Sequence, residues 1–231
     1  MLLTSIFSIL IITLIGLFLI PSINTHLIRL LSLSSSALVL LLSCGLLVQF
    51  DFNSYYFQSV VTYSLGSDLM NLSFSFGLDG ISIFFFVLTS LLIFLCILFI
   101  WNERLLKEYA LNLLLIELLL LLVFSVLDIF LFYIFFEAIL IPMFVLIGIW
   151  GSRERKIRAV YLLFFYTLFG SLLMLVGLLY IYTLTGTLNL EYLLAYKFTM
   201  EEQCWLWLAF FYHLLLKYQC FLSMYGYPKH T

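Results

Sequence analysis

Six stretches of about 20 apolar residues recur along this sequence, and they constrain its fold more than any other feature. A helix rises about 1.5 Å per residue, so about 20 apolar residues cross a hydrocarbon core roughly 30 Å thick. Hydrophobic residues make up 65% of the 231 positions and charged residues only 10%, whereas a soluble domain is about 25% charged. The sequence therefore predicts an all-α polytopic membrane protein. Its spans are expected near residues 2–20, 27–50, 81–101, 108–126, 128–150 and 159–184, with the start of a seventh near Cys204.

Two connections between the spans carry structural information of their own. Ser125 to Asp128 is the only polar break in the apolar stretch from Ala110 to Trp150, which predicts a very tight helical hairpin with Asp128 as the N-cap of the fifth span. The connection 51–80 contains NLSFSFGLD, in which apolar and polar residues alternate with a period of two, as in a strand. We therefore expect a short β-hairpin or an amphipathic cover at the membrane surface between spans 2 and 3.

Basic residues collect in alternate connections of the predicted spans. Because loops rich in Lys and Arg stay on the inner side of a membrane, they place the N-terminus outside and the basic loops in the cytoplasm or the mitochondrial matrix. No basic stripe with interleaved aromatic residues occurs, so the bilayer is an expected partner and nucleic acid is not. The four scattered cysteines are interpreted as packing residues, so no metal site is expected. The basic residues in or close to these connections are Arg29, Arg104, Lys107, Arg153, Arg155, Lys156 and Arg158, whereas the opposite side has only Lys197 before the seventh span.

Glu117 and Glu137 are the only carboxylates deep inside predicted spans. Each lies nine residues from the turn at Val126 to Asp128, which corresponds to a depth of about 13 Å, near the bilayer midplane. A charge at that depth costs about 3 kcal/mol on insertion scales. Two interpretations stay open for each residue: a protonated, hydrogen-bonded packing group, or a member of a proton relay.

Pro142 lies five residues after Glu137 in the same span. A proline has no N–H and clashes with the preceding turn, so it predicts a helix kink beside the acid and a carbonyl left free for water. Gly170 and Gly177 are seven residues apart on one helix face, where small residues permit close helix approach. The hydroxyls of SLSSSA, residues 32–37, are expected to bond to their own helix.

Three stretches of the sequence carry a resemblance to a known family: FGLDGIS (76–82), FYIFFEAILIPMF (132–144) and GIWGSRERKIRAVYLLFFYTLFGSLLML (148–175). They resemble the antiporter-like subunits of respiratory complex I, NADH:ubiquinone oxidoreductase, and among them the mitochondrial chain 4 family. The resemblance extends from about Phe76 to Phe211, while residues 1–75 match in hydropathy only. It divides the chain into helices 1–3 in residues 1–106, including the surface connection 51–80, and the first part of the family's helix repeat in residues 107–211.

The resemblance implies a function and a location. The family glutamate at Glu137 pairs with a lysine of a broken seventh helix, and changes in that pairing are thought to move protons during redox-coupled translocation. This chain itself is expected to hold no cofactor, because NADH, FMN, iron–sulfur clusters and ubiquinone belong to other subunits of the enzyme. The expected partners are other membrane-arm subunits in the mitochondrial inner membrane, with the N-terminus on the intermembrane-space side and the basic loops in the matrix.

Residues 212–231 depart from the family pattern. The family continues with a sequence like SFAVKVPMFPVHVWLPEAH. When residues 212–231 are translated back into permitted codons, the same nucleotides read from the third base encode that sequence. We therefore expect an out-of-frame tail in a truncated chain. Lys217 falls at the position of the family lysine, whereas His213, Cys220 and His230 are given no role. A sodium/proton antiporter subunit and a non-transporting remnant needed only for assembly are the alternative functions.

Overall fold

The computed structural model describes residues 2–54, 56–67, 70–100, 105–151 and 156–225. In this part of the chain, nine helices and one two-stranded sheet follow one another. The helices are α1 Leu2–Leu19, α2 Thr25–Gln49, α3 Ser82–Phe99, α4 Leu106–Ser125, α5 Ile129–Ala138, α6 Leu140–Trp150, α7 Lys156–Thr185, α8 Leu190–Ala195 and α9 Met200–Tyr225, and the strands are β1 Gln58–Ser67 and β2 Met70–Leu78.

The structure confirms the predicted set of six spans. Within the described residues, six helical segments are long and apolar enough to cross a membrane, and their bounds agree with the predicted ones to within a few residues. The fifth segment, Ile129–Trp150, consists of α5 and α6, which an interruption at Ile139 separates. The seventh helix, α9, begins at Met200, slightly before the predicted Cys204.

The connection between α2 and α3 is the predicted β-hairpin. Strands β1 and β2 pair antiparallel from Gln58 opposite Leu78 to Ser67 opposite Met70, with a bulge after Gln58. Ser59 lies in this bulge with a left-handed φ of 53°. The end of β2 also pairs with the turn after α4, because the Leu127 N–H donates to the Ser75 carbonyl at 2.9 Å. The hairpin is therefore fixed to the tight turn that the sequence predicts.

The chain separates into two units, residues 1–128 and 129–231. In the first unit, α1 packs against α2 and α4, and α3 packs against the same two helices. The hydroxyls of Ser32, Ser34, Ser35 and Ser36 each donate to a carbonyl of their own helix, as expected. A direct hydrogen bond of 2.8 Å between Ser43 Oγ and Ser90 Oγ joins α2 to α3.

The second unit is organised around the pairing of α7 with α9. A Cβ atom added to Gly170 would lie 3.2 Å from His213 Nδ1, and one added to Gly177 would lie 3.4 Å from the Ala209 Cβ. The two glycines therefore permit the close helix approach that their spacing predicts. A small core lies beside this pair, made of the buried side chains of Leu178, Ile181, Leu193 and Leu206.

Candidate functional site in the apolar helices

Glu137 lies one residue before the end of α5 and has a half-buried side chain. Tyr133, one turn earlier, packs against the core of the second unit. Phe136 stacks on Phe132 with ring centroids 5.7 Å apart. No side chain of α5, which is described over its full length, is fully buried. The acid is thus carried by an aromatic helix that the rest of the unit covers only in part.

The regular α-helix is interrupted at Ile139, two residues after Glu137. Ile139 separates α5 from α6, but its φ of −60° and ψ of −28° are those of a right-handed helix. The Ile139 N–H still donates to Phe135, and the Met143 N–H donates to Ile139. Pro142 has no N–H for the carbonyl of Ala138, four residues earlier. The interruption therefore includes a carbonyl without its helical donor, while the kink assigned to Pro142 stays a prediction.

The two halves of this span have separate attachments within the second unit. At the start of α5, the Ile129 N–H donates to the Leu188 carbonyl at 3.0 Å. In α6, the Phe144 ring makes edge contacts with Tyr161 and Phe164 of α7, at centroid distances of 5.6 and 5.7 Å. Each half is thus held by different neighbours, on either side of the interruption.

Glu117 has different surroundings in α4, in the first unit. Its side chain is 0% exposed, and it shares a helix face with the buried Leu113, Leu114 and Leu121. Neither carboxylate oxygen has a hydrogen-bond partner among the residues that the structure describes. A buried polar group without a partner destabilises a fold by about 1–3 kcal/mol, and more if it is charged. The hydrogen-bonded packing role that the sequence left open for Glu117 is thus not supported by the contacts of the described residues.

His213 is a buried residue to which the sequence gave no role. Its side chain is 2% exposed and lies against Gly170 of α7. Its ring is 5.8 Å from that of Phe136, the residue before Glu137, in an edge contact. Its spacing of seven from Leu206 on α9 is a sequence signal that could have indicated a buried position.

The backbone of Lys217 lies in α9, one turn beyond His213 on the same helix face. Its side chain lies outside the described residues, as do the side chain of Cys220 and the whole of His230. The pairing of Lys217 with Glu137 therefore stays a prediction. The structure brings Glu137, Pro142 and the His213 ring into the second unit, and Glu117 belongs to the first. No group of three or more potential metal ligands occurs among the described residues.

Comparison with known proteins identifies relatives of this chain. The family model described as "NADH:quinone oxidoreductase/Mrp antiporter, TM" matches residues 126–224. Proteins named NADH-ubiquinone oxidoreductase chain 4 are 49% identical in Prototheca wickerhamii, over 178 residues, and 51% identical in Chondrus crispus, over 168 residues. These matches cover 70% and 71% of this chain but 34% of each relative. The chain thus spans about a third of the length of the curated relatives it matches.

Solved structures extend the similarity to most of the fold. A chain of respiratory complex I from Thermus thermophilus with bound NADH matches with a TM-score of 0.73 and 30% identity, over 92% of this chain and 43% of that one. A chain of the membrane-bound sulfane sulfur reductase, an archaeal respiratory complex, matches with a TM-score of 0.72 over 91% of this chain and 33% of that one. Its 20% identity shows the fold alone.

The first of these structural matches extends into the first 75 residues, where the sequence resemblance was one of hydropathy. The six apolar spans make the chain a multi-pass membrane protein. The family model, the chain 4 relatives and the complex I structure agree with one another. Over residues 126–224, the chain therefore matches the family described as NADH:quinone oxidoreductase/Mrp antiporter.

Proposed function

We propose that this chain is a membrane-arm subunit of a proton-translocating NADH:ubiquinone oxidoreductase, in which Glu137 takes up and releases a transported proton. The observation that carries the proposal is the position of Glu137. It is a single carboxylic acid in an interrupted apolar span, and that span lies inside the region matched by the family model. Ionisable residues in such spans mark ion paths as a rule, because an acid without a function there is costly.

The protein's contribution to this reaction is electrostatic rather than redox. A nearby cation favours the ionised form of Glu137, and withdrawal of that cation favours uptake of a proton. Lys217 is the proposed cation, by its position in the sequence, and Glu117 is a proposed further carrier. Electron transfer from NADH through FMN and iron–sulfur clusters to ubiquinone is assigned to other subunits, which are the proposed partners in the membrane arm.

The proposed location is the mitochondrial inner membrane. The chain 4 relatives come from eukaryotes, and the positive-inside rule gives the orientation. The N-terminus is placed on the intermembrane-space side and the basic loops in the matrix. Lys107 lies in the first turn of α4, on the proposed matrix side, where its Nζ donates to the carbonyls of Phe18 and Ile20 at 3.0 and 2.7 Å.

Two other functions are compatible with particular observations. The family description names Mrp antiporters beside NADH:quinone oxidoreductases, which favours a sodium/proton antiporter subunit as the second candidate. A non-transporting role in assembly is the third candidate.

The identity of the driving reaction and of the ion separates these functions. Membrane vesicles that contain the assembled complex are supplied with NADH and a quinone, and acidification is followed with and without sodium. The proposal predicts NADH-driven proton transport that is unchanged without sodium and is lost when this chain is removed from the assembled complex. Proton movement that requires sodium and not NADH identifies an antiporter instead. Unchanged pumping without the chain contradicts any transport role.

A further inference from the structure

We propose that the end of the first unit around Arg29 binds an anionic phospholipid, whose phosphate group is held by the Arg29 guanidinium at the mouth of a small cavity. The site is formed by α2, α3 and α4, and Glu137 is not part of it. It assigns a binding partner to a basic residue that the sequence used only as a signal of orientation.

A small cavity lies between the ends of three helices of this unit. Its volume is about 10 Å³, which gives room for about one oxygen atom or water molecule. All of its lining side chains are buried except that of Arg29, which is half-buried. A group that enters the cavity therefore meets a cation within largely apolar walls. The lining residues are Arg29 and Ser32 of α2, Ile97 of α3, Ile100 directly after α3, and Leu106, the first residue of α4.

The Arg29 side chain suits a phosphate oxygen as its ligand. Its planar guanidinium keeps its charge at physiological pH and presents a fork of donors that matches phosphate geometry. Because the group has five N–H donors, it can keep its interaction within the protein and also donate to a ligand. The Ser32 hydroxyl already donates to the Arg29 carbonyl at 3.1 Å. A ligand in the cavity therefore receives its hydrogen bonds from the guanidinium and is an acceptor, as an anion is.

The cavity lies at the level of lipid headgroups along the helices. Arg29 is four residues after the start of α2, while Ile100 and Leu106 stand at the end of α3 and the start of α4. Four residues correspond to about 6 Å, so the cavity is close to the boundary between hydrocarbon and headgroups. Because it has room for about one oxygen atom, a phosphate places one oxygen inside while the rest of the headgroup stays at the surface.

Exposed apolar side chains beside the lining residues favour a lipid over a free anion. Leu30 follows Arg29 and is 54% exposed, and Phe99 precedes Ile100 and is 86% exposed. A free phosphate ion would leave these side chains uncovered. The acyl chains of a phospholipid continue from its phosphate into the hydrocarbon, so the same molecule contacts the cation and the apolar surface beside it.

The charge at this end of the unit is complementary to an anionic lipid. Among the described residues there, Arg29 and Lys107 are cations and Glu108 is an acid. Because Lys107 is bound to the carbonyls at the end of α1, it adds positive potential without lining the cavity. In the positive-inside orientation this end faces the leaflet that carries anionic lipids, whose headgroups bind basic pockets between membrane helices.

Photolabelling of the purified complex that contains this chain tests the site. The probes are phosphatidylglycerol, which is anionic, and phosphatidylcholine, which is zwitterionic, each with the same photoreactive acyl chain. Mass spectrometry then locates the labelled peptides. We expect phosphatidylglycerol to label the peptides that contain Leu30 and Phe99 several-fold more strongly than phosphatidylcholine does at the same concentration.

Two variants separate the cation from the cavity. Arg29→Gln removes the charge and should lower labelling by phosphatidylglycerol at least about tenfold, the effect of a charge-assisted hydrogen bond. Ser32→Val keeps the charge but fills the cavity with a larger side chain, so it should lower the labelling as well. Lys197→Gln is the matched control, because it removes an exposed cation of the second unit that does not line the cavity. It should leave the labelling unchanged.

Each outcome of the labelling supports or rejects the site. Equal labelling by the two lipids overturns the inference, and so does unchanged labelling in either Arg29→Gln or Ser32→Val. A loss that Lys197→Gln shares to the same extent indicates general attraction to positive charge and also contradicts the site. Labelling that disappears when inorganic phosphate replaces chloride at constant ionic strength identifies a free-anion site and rejects the lipid.

A measurement on the wild-type complex does not depend on the folding of any variant. Cryo-electron microscopy of the complex supplied with phosphatidylglycerol should show a phosphate within about 3 Å of the Arg29 guanidinium. A map that shows other bound lipids but none there would overturn the inference. Neither experiment uses NADH or measures pumping, so failure of the lipid site and failure of the proposed function are distinguished.

Discussion

At the residue scale, the two intramembrane acids differ in what surrounds them. Glu137 is half-buried beside a break in its helix, and Glu117 is fully buried in a continuous one. The carboxylate oxygens of Glu117 have no hydrogen-bond partner in the described part of the chain. Replacing such a group by an apolar residue of similar size is often neutral or stabilising.

Glu117→Leu therefore separates function from packing at this position. We predict that the free energy of unfolding of the variant is equal to that of the wild type or higher by up to about 3 kcal/mol, because a buried group without a hydrogen-bond partner is removed. We also predict lower NADH-driven pumping, since a proposed proton carrier is lost. Thermal unfolding of the detergent-solubilised complex and vesicle pumping measure the two effects. A less stable variant with normal pumping per complex would assign Glu117 a structural role.

Ser43 and Ser90 form the contact between α2 and α3 that the sequence could not indicate. Each hydroxyl also lies within hydrogen-bond distance of a carbonyl of its own helix, at Leu40 and Val87. A double-mutant cycle with Ser43→Ala and Ser90→Ala should give a coupling of about 0.6 kcal/mol, the average for such bonds in membranes. Thermal unfolding of the four proteins measures it, and strictly additive effects would show that the pair does not join the helices.

At the scale of elements, the α7–α9 pair depends on one close approach. A Cβ on Gly170 would lie 3.3 Å from the backbone oxygen of His213 and 3.4 Å from its Cα, atoms that cannot move without shifting α9. Gly170→Ala should therefore destabilise the unit by about 1–3 kcal/mol. Gly45→Ala is the matched control, because nothing lies within 4 Å of its added Cβ.

The comparison is made by thermal unfolding of the solubilised complex. We expect a lower unfolding temperature for Gly170→Ala and an unchanged or slightly higher one for Gly45→Ala, since alanine is the better helix former. Equal effects of the two substitutions would mean that α7 and α9 do not pack through Gly170.

Most elements could be predicted from the sequence, because the hydropathy of a stretch and the spacing of its apolar and small residues depend on neighbouring residues alone. The six spans, the β-hairpin and the close glycine face of α7 are of this kind. The burial of both faces of β2 could not be predicted in this way. Ser75 and Leu78 lie on opposite faces of the strand and are both buried, and β2 pairs there with Val126 and Leu127. That contact joins distant segments and leaves no periodic signal in either.

The candidate site shows the same division. Glu117 and Glu137 stand out as acids in apolar runs, and Pro142 predicts a disturbed helical turn immediately before it. The sequence could not predict that His213 would lie against Gly170 and Phe136, because these contacts depend on the packing of three helices.

At the scale of the whole molecule, the segment after Phe211 decides how much of the family pattern the protein retains. We propose that one nucleotide is missing near Phe211–Tyr212, so that the continuation is out of frame. Sequencing of the mature transcript and mass spectrometry of peptides across residues 205–231 should then show an extra base and a peptide that contains FAVKVP. Peptides matching YQCFLSMYGYPK would reject the proposal and establish Lys217 and the surrounding α9 sequence as those of the protein.

Glu137→Gln tests the central claim most directly. The amide keeps the size and hydrogen-bonding capacity of the side chain but cannot carry a proton at neutral pH. The variant is introduced into the assembled oxidoreductase, and protons transported per NADH oxidised are measured in sealed vesicles, normalised to the amount of complex. We predict normal assembly with pumping that is lost or greatly reduced. An unchanged ratio of protons to NADH in the variant would contradict the proton-carrying role of Glu137.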